Sequence, residues 1–166
     1  SDARKIARSL SAFSNTNGGR LLVGVKDNGR IAGVRSDEEI YMIEAAAKLY
    51  CVPEVECRMN NYVVDGRNVL LAEVTPVANK PVYAKDADGK QWAYIRVADE
   101  NILASPVHLK IWKLADRPVG TLLTYTAKEQ QLLSILTEEG AVTLNRCCKR
   151  MRLSRREVEN LLAQFI

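Results

Sequence analysis

The sequence has few of the residues that usually hold metals. It contains one histidine, His108, and four cysteines, none of them in a Cys-x-x-Cys pair. A tetrahedral zinc site needs four such ligands brought together, and these residues are too few and too far apart. We therefore expect no metal, no cofactor and reduced cysteines, as in a cytoplasmic protein. The cysteines are Cys51, Cys57, Cys147 and Cys148.

Long apolar runs are also missing. No stretch approaches the roughly 20 apolar residues that span a bilayer, and the N-terminus lacks the apolar core of a signal peptide. We expect no membrane partner. The chain starts inside what reads as a helix already under way, so we expect part of the protein to precede Ser1.

Charge of one sign is not in large excess. The 166 residues carry a formal net charge of +4, a weak basic bias that permits nucleic acid as a partner without establishing it. Hydrophobic residues make up 47% of the chain, enough to bury the core of one ordinary domain or two small ones.

The first part of the chain reads as a helix followed by a hairpin. Apolar residues over 3–13 recur at steps of three and four, which predicts an amphipathic helix. Two apolar runs, 21–25 and 31–34, flank the Asp-Asn-Gly sequence at 27–29, which is a strong hairpin signal.

A second helix and four more strands are predicted after this hairpin. Ser36 followed by Glu39 has the spacing of a capping box, and the helix behind it is expected to end near Cys51. Two further hairpins pair residues 55–64 with 69–74 and residues 82–84 with 92–97. The sequence thus predicts an α+β domain over 1–104, with an antiparallel or mixed sheet covered by helices.

The remaining chain is predicted to be mostly helical. Residues 105–123 contain two prolines and no clean period, and we interpret them as a connector. Residues 124–166 read as three short helices with a tight turn between the last two, which is a helix-turn-helix layout and resembles a winged helix without its wing. Two of these helices open with capping boxes, Thr126 with Glu129 and Ser154 with Glu157.

The glycine pair Gly18-Gly19 raises the question of phosphate binding. Phosphate-binding glycine loops follow a strand and open a helix, whereas this pair closes a helix and precedes a strand. A helix C-cap is the simpler interpretation. We expect Asn15 and Thr16 to join the helix end to a neighbouring strand by side-chain hydrogen bonds. The alternative is that this turn, with Arg96, binds a small ligand or nucleotide.

Three segments resemble the signature of one family. Residues 12–19, 22–27 and 31–34 are similar to "AFANT-x-GG…-IGV-x-D…-I-x-G" of the Schlafen AlbA_2 domain, and residues 93–97 resemble its "YxRxG" strand. The resemblance covers about residues 1 to 104. It implies a nucleic-acid-binding module, often joined in bacteria to a C-terminal winged helix in transcriptional regulators. The residues that carry it are Asn15, Thr16, Gly18, Gly19, Gly24, Asp27, Gly33 and Arg96.

The family also includes RNA-cleaving members in animals, which gives an alternative function. Those members resemble one another in two glutamates before the helix and an aspartate after the "IGV" strand, a set suited to a divalent metal beside a phosphodiester. Asp27 matches the aspartate, but the glutamates would lie upstream of Ser1. Asp27 is also a natural residue of an Asp-Asn-Gly turn. We therefore favour a protein that is not an enzyme, with a metal-dependent endoribonuclease as the alternative.

A basic cluster marks the C-terminal module. Every charged residue over 143–156 is basic, at the place where a helix-turn-helix protein touches DNA. The sequence predicts contacts to duplex DNA, with base reading by Arg155, Arg156, Glu159 and Asn160, although a solvated surface would look the same. It leaves open whether the chain forms a homo-oligomer. The cluster consists of Arg146, Lys149, Arg150, Arg152, Arg155 and Arg156.

Overall fold

The computed structural model describes residues 2–115 and 125–166. The chain divides into two compact units, Ser1–Ala104 and Ser105–Ile166, referred to below as unit 1 and unit 2. Unit 1 combines helices with antiparallel sheets, and the described part of unit 2 is helical. The predicted α+β class is therefore confirmed. No helix in the described ranges is both long enough and apolar enough to cross a bilayer.

Seven strands of unit 1 form two sheets. They are β1 (Gly19–Val23), β2 (Cys51–Val52), β3 (Cys57–Val64), β4 (Arg67–Val74), β5 (Tyr83–Lys85), β6 (Gln91–Val97) and β7 (Glu100–Leu103). One sheet has the order β1-β4-β3 and the other the order β2-β5-β6-β7, and each of these pairings is antiparallel. Strand β7 lies inside the predicted domain but had no sequence prediction of its own.

Two helices pack on these sheets. Helix α1 spans Asp2–Asn15 and contacts β5 and β6, and helix α2 spans Glu38–Leu49 and packs against α1. On α2, Ile43 is fully buried among the inward residues of the first sheet, such as Leu70. Burial of these apolar side chains supplies the main driving force for the layer of helices on sheets.

The hairpin predicted for residues 21–34 does not form as such. Val25 and Ile31 make one isolated bridge, while β1 pairs along its length with β4. Gly24, at φ +91°, turns the chain out of the sheet, and its carbonyl accepts hydrogen bonds from the backbone N–H groups of Ala32 and Gly33 at 2.8 and 2.9 Å. A side chain at Gly24 would meet this returning backbone, so the excursion depends on glycine.

The capping box predicted at Ser36 and Glu39 is also wrong. The N-cap residue of α2 is Asp37, which makes no side-chain capping bond. The Glu39 carboxylate instead accepts a hydrogen bond from the backbone N–H of Arg35 at 3.1 Å. The helix begins later than the Ser-x-x-Glu spacing indicates, so Ser36 lies outside the position that caps.

Unit 2 contains four described helices. They are α3 (Pro106–Ala115), α4 (Ala127–Glu139), α5 (Leu144–Met151) and α6 (Arg155–Gln164). The capping boxes predicted for α4 and α6 are both present. Arg152, at φ +55°, caps α5 in the left-handed conformation and makes the tight turn into α6. The core of α4 to α6 consists of Leu132, Ile135, Cys147, Met151, Val158 and Leu161.

The segment interpreted as a connector, 105–123, differs from that expectation. Its first half forms α3, which packs against α6. The two prolines of the segment led to its interpretation as a connector. Pro106 occupies the first helical position, where proline is tolerated. The rest of the predicted connector, 116–123, lies outside the described residues.

Candidate nucleic-acid interface

The family-like polar run ends α1, and Asn15 is its most buried amide. The side chain is only 4% exposed. Its Nδ2 donates to the carbonyl oxygens of Val82 at 2.8 Å and Tyr94 at 2.9 Å, and its Oδ1 accepts from the backbone N–H of Val82 at 2.7 Å. Both polar atoms of the amide are therefore bonded to backbone.

The position of Asn15 follows from the strand register. Strands β5 and β6 pair Tyr83 with Ala93, so Val82 and Tyr94 would form the next pair. Ser11 and Asn15 lie between them instead. Ser11 Oγ donates to the Val82 carbonyl at 2.8 Å and accepts from the Tyr94 N–H at 3.1 Å. The helix thus supplies, through side chains, the hydrogen bonds that a strand pair would have made.

Thr16 extends the same junction. Its hydroxyl donates to the carbonyl of Ala12 at 2.7 Å and accepts from the backbone N–H of Arg96 at 2.9 Å. The prediction that Asn15 and Thr16 join the helix end to strands is confirmed. Sequence reasoning missed Ser11, although its position four residues before Asn15 on a buried helical stripe was a usable signal. The three residues Ser11, Asn15 and Thr16 are called the helix clamp below.

The glycine pair closes the helix as a C-cap. The Gly18 N–H donates to the Phe13 carbonyl at 2.9 Å, and Gly18 has φ +76°. A Cβ there would approach the carbonyl oxygen of Val74 to 2.5 Å, and one at Gly19 would overlap the Phe13 ring. Both glycines are required by the turn and by packing.

A groove of about 1200 Å³ lies beside the glycine pair. It is lined by cations such as Arg20 and Arg58, but also by four carboxylates. A lining of mixed sign does not favour a phosphate. The carboxylates belong to Glu44, Glu54, Glu56 and Glu73.

Arg96 has a role within unit 1. Its guanidinium donates to Asn101 Oδ1 at 2.8 Å and lies 5.4 Å from the centre of the Phe13 ring. Asn101 in turn donates to Ser9 Oγ at 2.9 Å, so this chain of contacts links β6, β7 and α1. Sequence reasoning identified Arg96 but not Asn101 or Ser9, which no sequence pattern indicates.

Asp27 lies in the exposed turn of the 24–33 excursion. The turn is closed by the Gly29 N–H, which donates to the Lys26 carbonyl at 2.8 Å. Within residues 2–115 and 125–166, no group of three or more histidine, cysteine, aspartate or glutamate side chains is placed to hold a metal ion. Asp27 thus has the geometry expected of a turn residue.

The basic cluster of unit 2 surrounds the turn between α5 and α6, and is called the basic turn below. Two of its arginines are paired with glutamates at the end of α4. Arg146 Nε lies 2.7 Å from Glu139, and Arg150 contacts Glu139 at 2.7 Å and Glu138 at 2.9 Å. The hydrogen bonds from Arg150 hold the pKa of both carboxyl groups below the usual value. These arginines tie α5 to α4.

A third arginine is paired inside α6. Arg155 Nε lies 3.0 Å from Glu159, which also contacts Lys110 of α3 at 3.0 Å. The ammonium of Lys110 is the main reason that the pKa of Glu159 is lowered. Glu159 is only 7% exposed, so the sequence interpretation of it as a base-reading residue is wrong. It holds α3 against α6.

Three cations of the basic turn remain available. Within the described residues Lys149, Arg152 and Arg156 make no ion pair, and all three are exposed. Asn160 is exposed one helical turn after Arg156 on α6. The structure therefore divides the predicted contact residues into a paired half and an unpaired half.

Comparison with known proteins identifies unit 1. A family profile described as Schlafen, AlbA_2 matches residues 1–105. Three solved chains match, among them the DIP2311 protein from Corynebacterium diphtheriae, with a TM-score of 0.52 and 22% identity. That match covers 87% of this chain and 31% of the solved one, so this chain spans under a third of its length, and the likeness shows the fold alone. No curated protein matches.

The family match bears on the function of the domain over residues 1–105. Schlafen AlbA_2 domains suggest nucleic-acid binding, without distinguishing a regulator from a nuclease. The match ends at residue 105, at the boundary between the two units. Since it spans more than half of the sequence and agrees with the fold of unit 1, the chain belongs to the Schlafen AlbA_2 family.

Proposed function

We propose that this protein is a DNA-binding transcriptional regulator that contacts duplex DNA through the basic turn. One observation carries the proposal: Lys149, Arg152 and Arg156 are exposed around one tight helix-helix turn, and none has an acidic partner in the described residues. Unpaired cations at such a turn attract the phosphate backbone, whereas paired ones are already neutralised.

The two helices suggest a division of roles. Lys149 and Arg152 lie at the end of α5 and in the turn, which suits phosphate contacts. Arg156 and Asn160 lie on α6, in the place of a recognition helix, where arginine reads guanine and asparagine reads adenine. This arrangement supports the winged-helix interpretation of residues 124–166 as part of the proposal.

Two further parts of the proposal concern location and assembly. We expect a cytoplasmic location, because the four cysteines are free thiols, as is usual in a reducing compartment. A regulator that reads a palindromic site binds as a homo-oligomer. A titration of duplex DNA with the chain measures the number of chains per duplex and so distinguishes one copy from two.

The test is duplex binding by the full chain across a salt series. Three free cations predict a slope of log affinity against log salt of about −2.7, and six predict about −5.4. A slope near the smaller magnitude supports the proposal. Undetectable binding at low salt, or affinity that does not change with salt, shows that the basic turn is only a solvated surface.

The competing enzymatic function is tested in the same preparation. Transfer RNA, single-stranded RNA and duplex DNA are incubated with the chain in the presence of manganese or magnesium. We expect no cleavage. Metal-dependent cleavage that disappears in Asp27→Ala would overturn the regulator proposal in favour of an endoribonuclease.

A further inference from the structure

Strand β3 forms a free edge of the sheet β1-β4-β3 and is long for an edge strand. It has eight residues, Cys57–Val64, and no strand within the described residues pairs with its outer side. The other edge strands of the two sheets, β1, β2 and β7, have five, two and four residues. A long free edge presents a row of unpaired N–H and C=O groups to another chain.

The β3 edge lacks most of the features that protect a free strand from pairing. Strand β3 contains no proline and no lysine, and its register with β4 runs from Cys57 to Val64 without a bulge. Its one charged residue is Arg58. The far end of the strand is apolar and exposed, since Tyr62 is 51% and Val63 72% exposed. Strand β3 is therefore open to pairing with a further strand.

The turn between β3 and β4 determines which backbone groups face the free edge. Asp65 and Gly66 have φ of +51° and +71°, as in a two-residue hairpin turn, so the flanking residues Val64 and Arg67 form a hydrogen-bonded pair. Hydrogen-bonded and non-hydrogen-bonded pairs alternate along an antiparallel ladder. Every second residue of β3 therefore directs its N–H and C=O away from β4. These residues are Cys57, Met59, Asn61 and Val63.

We propose that β3 pairs antiparallel with β3 of a second copy of this chain, in the register centred on Asn60. Cys57 then lies opposite Val63 of the second copy, and Met59 lies opposite Asn61. Each of these pairs exchanges two backbone hydrogen bonds. This register is the one in which all four outward-facing residues of each copy find a partner. A two-fold axis at Asn60 repeats every contact, so the assembly closes as a dimer with one six-stranded sheet.

The register covers the most exposed apolar side chain of the strand. Cys57 and Met59 pack at the margin of the cluster around Ile43 of α2. Val63 lies on the same side of the sheet, because side chains two apart share a face, yet it is 72% exposed. In the dimer Val63 lies against Cys57 of the second copy. Each copy therefore extends the apolar cluster of the other.

The opposite side of the sheet places a cation beside an aromatic ring. Arg58 is exposed and makes no ion pair in the described part of the chain. In the proposed register it lies opposite Tyr62 of the second copy, in a non-hydrogen-bonded pair, the type in which side chains lie closest. The guanidinium can then lie over the ring, and the two-fold axis produces this contact twice.

Charges at the ends of the strand are also complementary. When the pairing continues by one residue, Glu56 lies opposite Val64 of the second copy, and Val64 is paired with Arg67. Two strand spacings, about 10 Å, then separate the Cα atoms of Glu56 and Arg67, a span that two long side chains can bridge. Neither residue has an ion pair within the described ranges, although Arg67 donates to the Ile31 carbonyl at 2.7 Å. The dimer provides each with a partner of opposite sign.

These features favour a second copy over an unrelated strand. One strand supplies both halves of every contact: Arg58 for Tyr62, Val63 for Cys57, and Asn60 for itself. Pairing of a single strand buries a small area, so we expect a dimer that dissociates on dilution. The proposal does not depend on DNA binding, and it gives a homo-oligomer an interface in unit 1.

The first experiment measures the mass of the full chain in solution, without DNA, across a concentration series. We expect a dimer whose fraction increases with concentration. Val63→Lys places a charge on the edge and against Cys57 of the second copy, and should raise the dimer dissociation constant by about ten-fold or more. Ile102→Lys is the matched control, since Ile102 is 42% exposed on β7, an edge strand of the other sheet. It should leave the dissociation constant unchanged.

A cross-linking experiment tests the register. The two-fold axis places the two Asn60 Cα atoms about 4.5 Å apart in a non-hydrogen-bonded pair, which is within the range of a disulfide. Asn60→Cys should therefore form a disulfide-linked dimer under mild oxidation, read on a non-reducing gel. In Val64→Cys the two cysteines lie about 27 Å apart along the strands and should not link. The wild type, which keeps the four native cysteines, is the blank.

Three results would overturn the inference. The wild type could stay monomeric at the highest concentration measured, which would leave the edge to a strand of another protein. Val63→Lys and Ile102→Lys could weaken the dimer equally, or Val64→Cys could cross-link as readily as Asn60→Cys, and either result would place the contact elsewhere. A wild type that dimerises through β3 but binds no duplex DNA contradicts the regulator proposal and supports this one.

Discussion

The helix clamp of unit 1 and the basic turn of unit 2 are both dense in polar side chains, yet they differ in what those side chains are bonded to. In the clamp, Asn15 is 4% exposed and its amide atoms meet backbone groups of Val82 and Tyr94. In the basic turn, cations such as Arg156 face solvent, and only half of the six are paired with carboxylates.

The polar side chains of the helix clamp therefore stabilise the fold, whereas the unpaired cations of the basic turn are available to a ligand. A buried amide whose donors and acceptors are all used has no capacity left for a partner, and removing it leaves backbone groups unpaired. An exposed cation costs little to keep unpaired and gains when a phosphate arrives. The residues most typical of the family therefore explain stability, while the arginines proposed to bind DNA lie outside the family signature.

The largest expected effect is on the clamp. Asn15→Ala leaves the N–H of Val82 and the carbonyl of Tyr94 without this partner, while the Val82 carbonyl keeps its bond from Ser11, and we expect a loss of about 3 kcal/mol in the free energy of unfolding. Urea denaturation measures it. Asn17→Ala is the control, since Asn17 is exposed in the same polar run and should change stability by less than about 0.5 kcal/mol. Equal small losses in both variants would show that the clamp is not needed.

The helix end gives the next largest effect. Gly18→Ala combines a positive φ with a Cβ placed 2.5 Å from the Val74 carbonyl oxygen, so we expect a loss of about 2 kcal/mol or more. Gly29→Ala isolates the cost of the positive φ, since Gly29 has a similar φ of +81° and no atom lies within 4 Å of the added Cβ. It should cost only about 1 kcal/mol. Equal losses in Gly18→Ala and Gly29→Ala would show that the close approach to the Val74 carbonyl oxygen does not contribute to the cost.

The pH dependence should differ between the two regions. The pKa values of Glu138 and Glu139 are lowered by hydrogen bonds from Arg150, and that of Glu159 by Lys110. Because the folded pKa is below the ordinary value of 4.5, these pairs stabilise unit 2 above that pH, and the contribution is lost as pH falls through the folded pKa. No group of the clamp titrates there.

Thermal unfolding at pH 7 and pH 3 checks this contrast. Replacing both Glu138 and Glu139 by glutamine should reduce the pH dependence of the wild type, and the cost of Asn15→Ala should be the same at both pH values. A double glutamine variant with unchanged pH dependence would contradict the assigned ion pairs.

The smallest effect concerns two serines of α1. Ser14 is fully buried and its hydroxyl has no partner within the described residues, and the family signature has alanine at that position. Ser14→Ala should therefore either leave the free energy of unfolding unchanged or raise it by at most about 1 kcal/mol. Ser11→Ala is the matched control, because the Ser11 hydroxyl bonds to Val82 and Tyr94, and it should be destabilising. Destabilisation by Ser14→Ala would reveal a missed partner for its hydroxyl.

The sequence predicted the local structure better than the long-range partners. Capping boxes such as Ser154 with Glu157, and the helix end at Gly18, follow from spacing and backbone preference alone. The pairing of β1 with β4 and the place of Asn15 beside Tyr94 join residues far apart in the chain, which a local pattern does not specify.

The basic turn shows the same limit. Its cations were visible in the sequence, but the pairing of Arg146 and Arg150 with the end of α4 depends on how α4 and α5 pack. The burial of Glu159 likewise depends on α3, which lies in the segment interpreted from the sequence as a connector. A count of charges in the sequence therefore gave six free cations, whereas only three are free once the helices pack, because the other three are paired with glutamates.

The most direct test of this account compares two arginines of the basic turn in one assay. Arg156→Gln and Arg146→Gln change the net charge equally, but Arg156 has no ion pair in the described residues and Arg146 is paired with Glu139. Duplex DNA affinity is measured for both variants and the wild type across a salt series. The account predicts that Arg156→Gln weakens binding and lowers the salt slope by about 0.9, whereas Arg146→Gln leaves the slope unchanged. Equal changes in the two variants would contradict it.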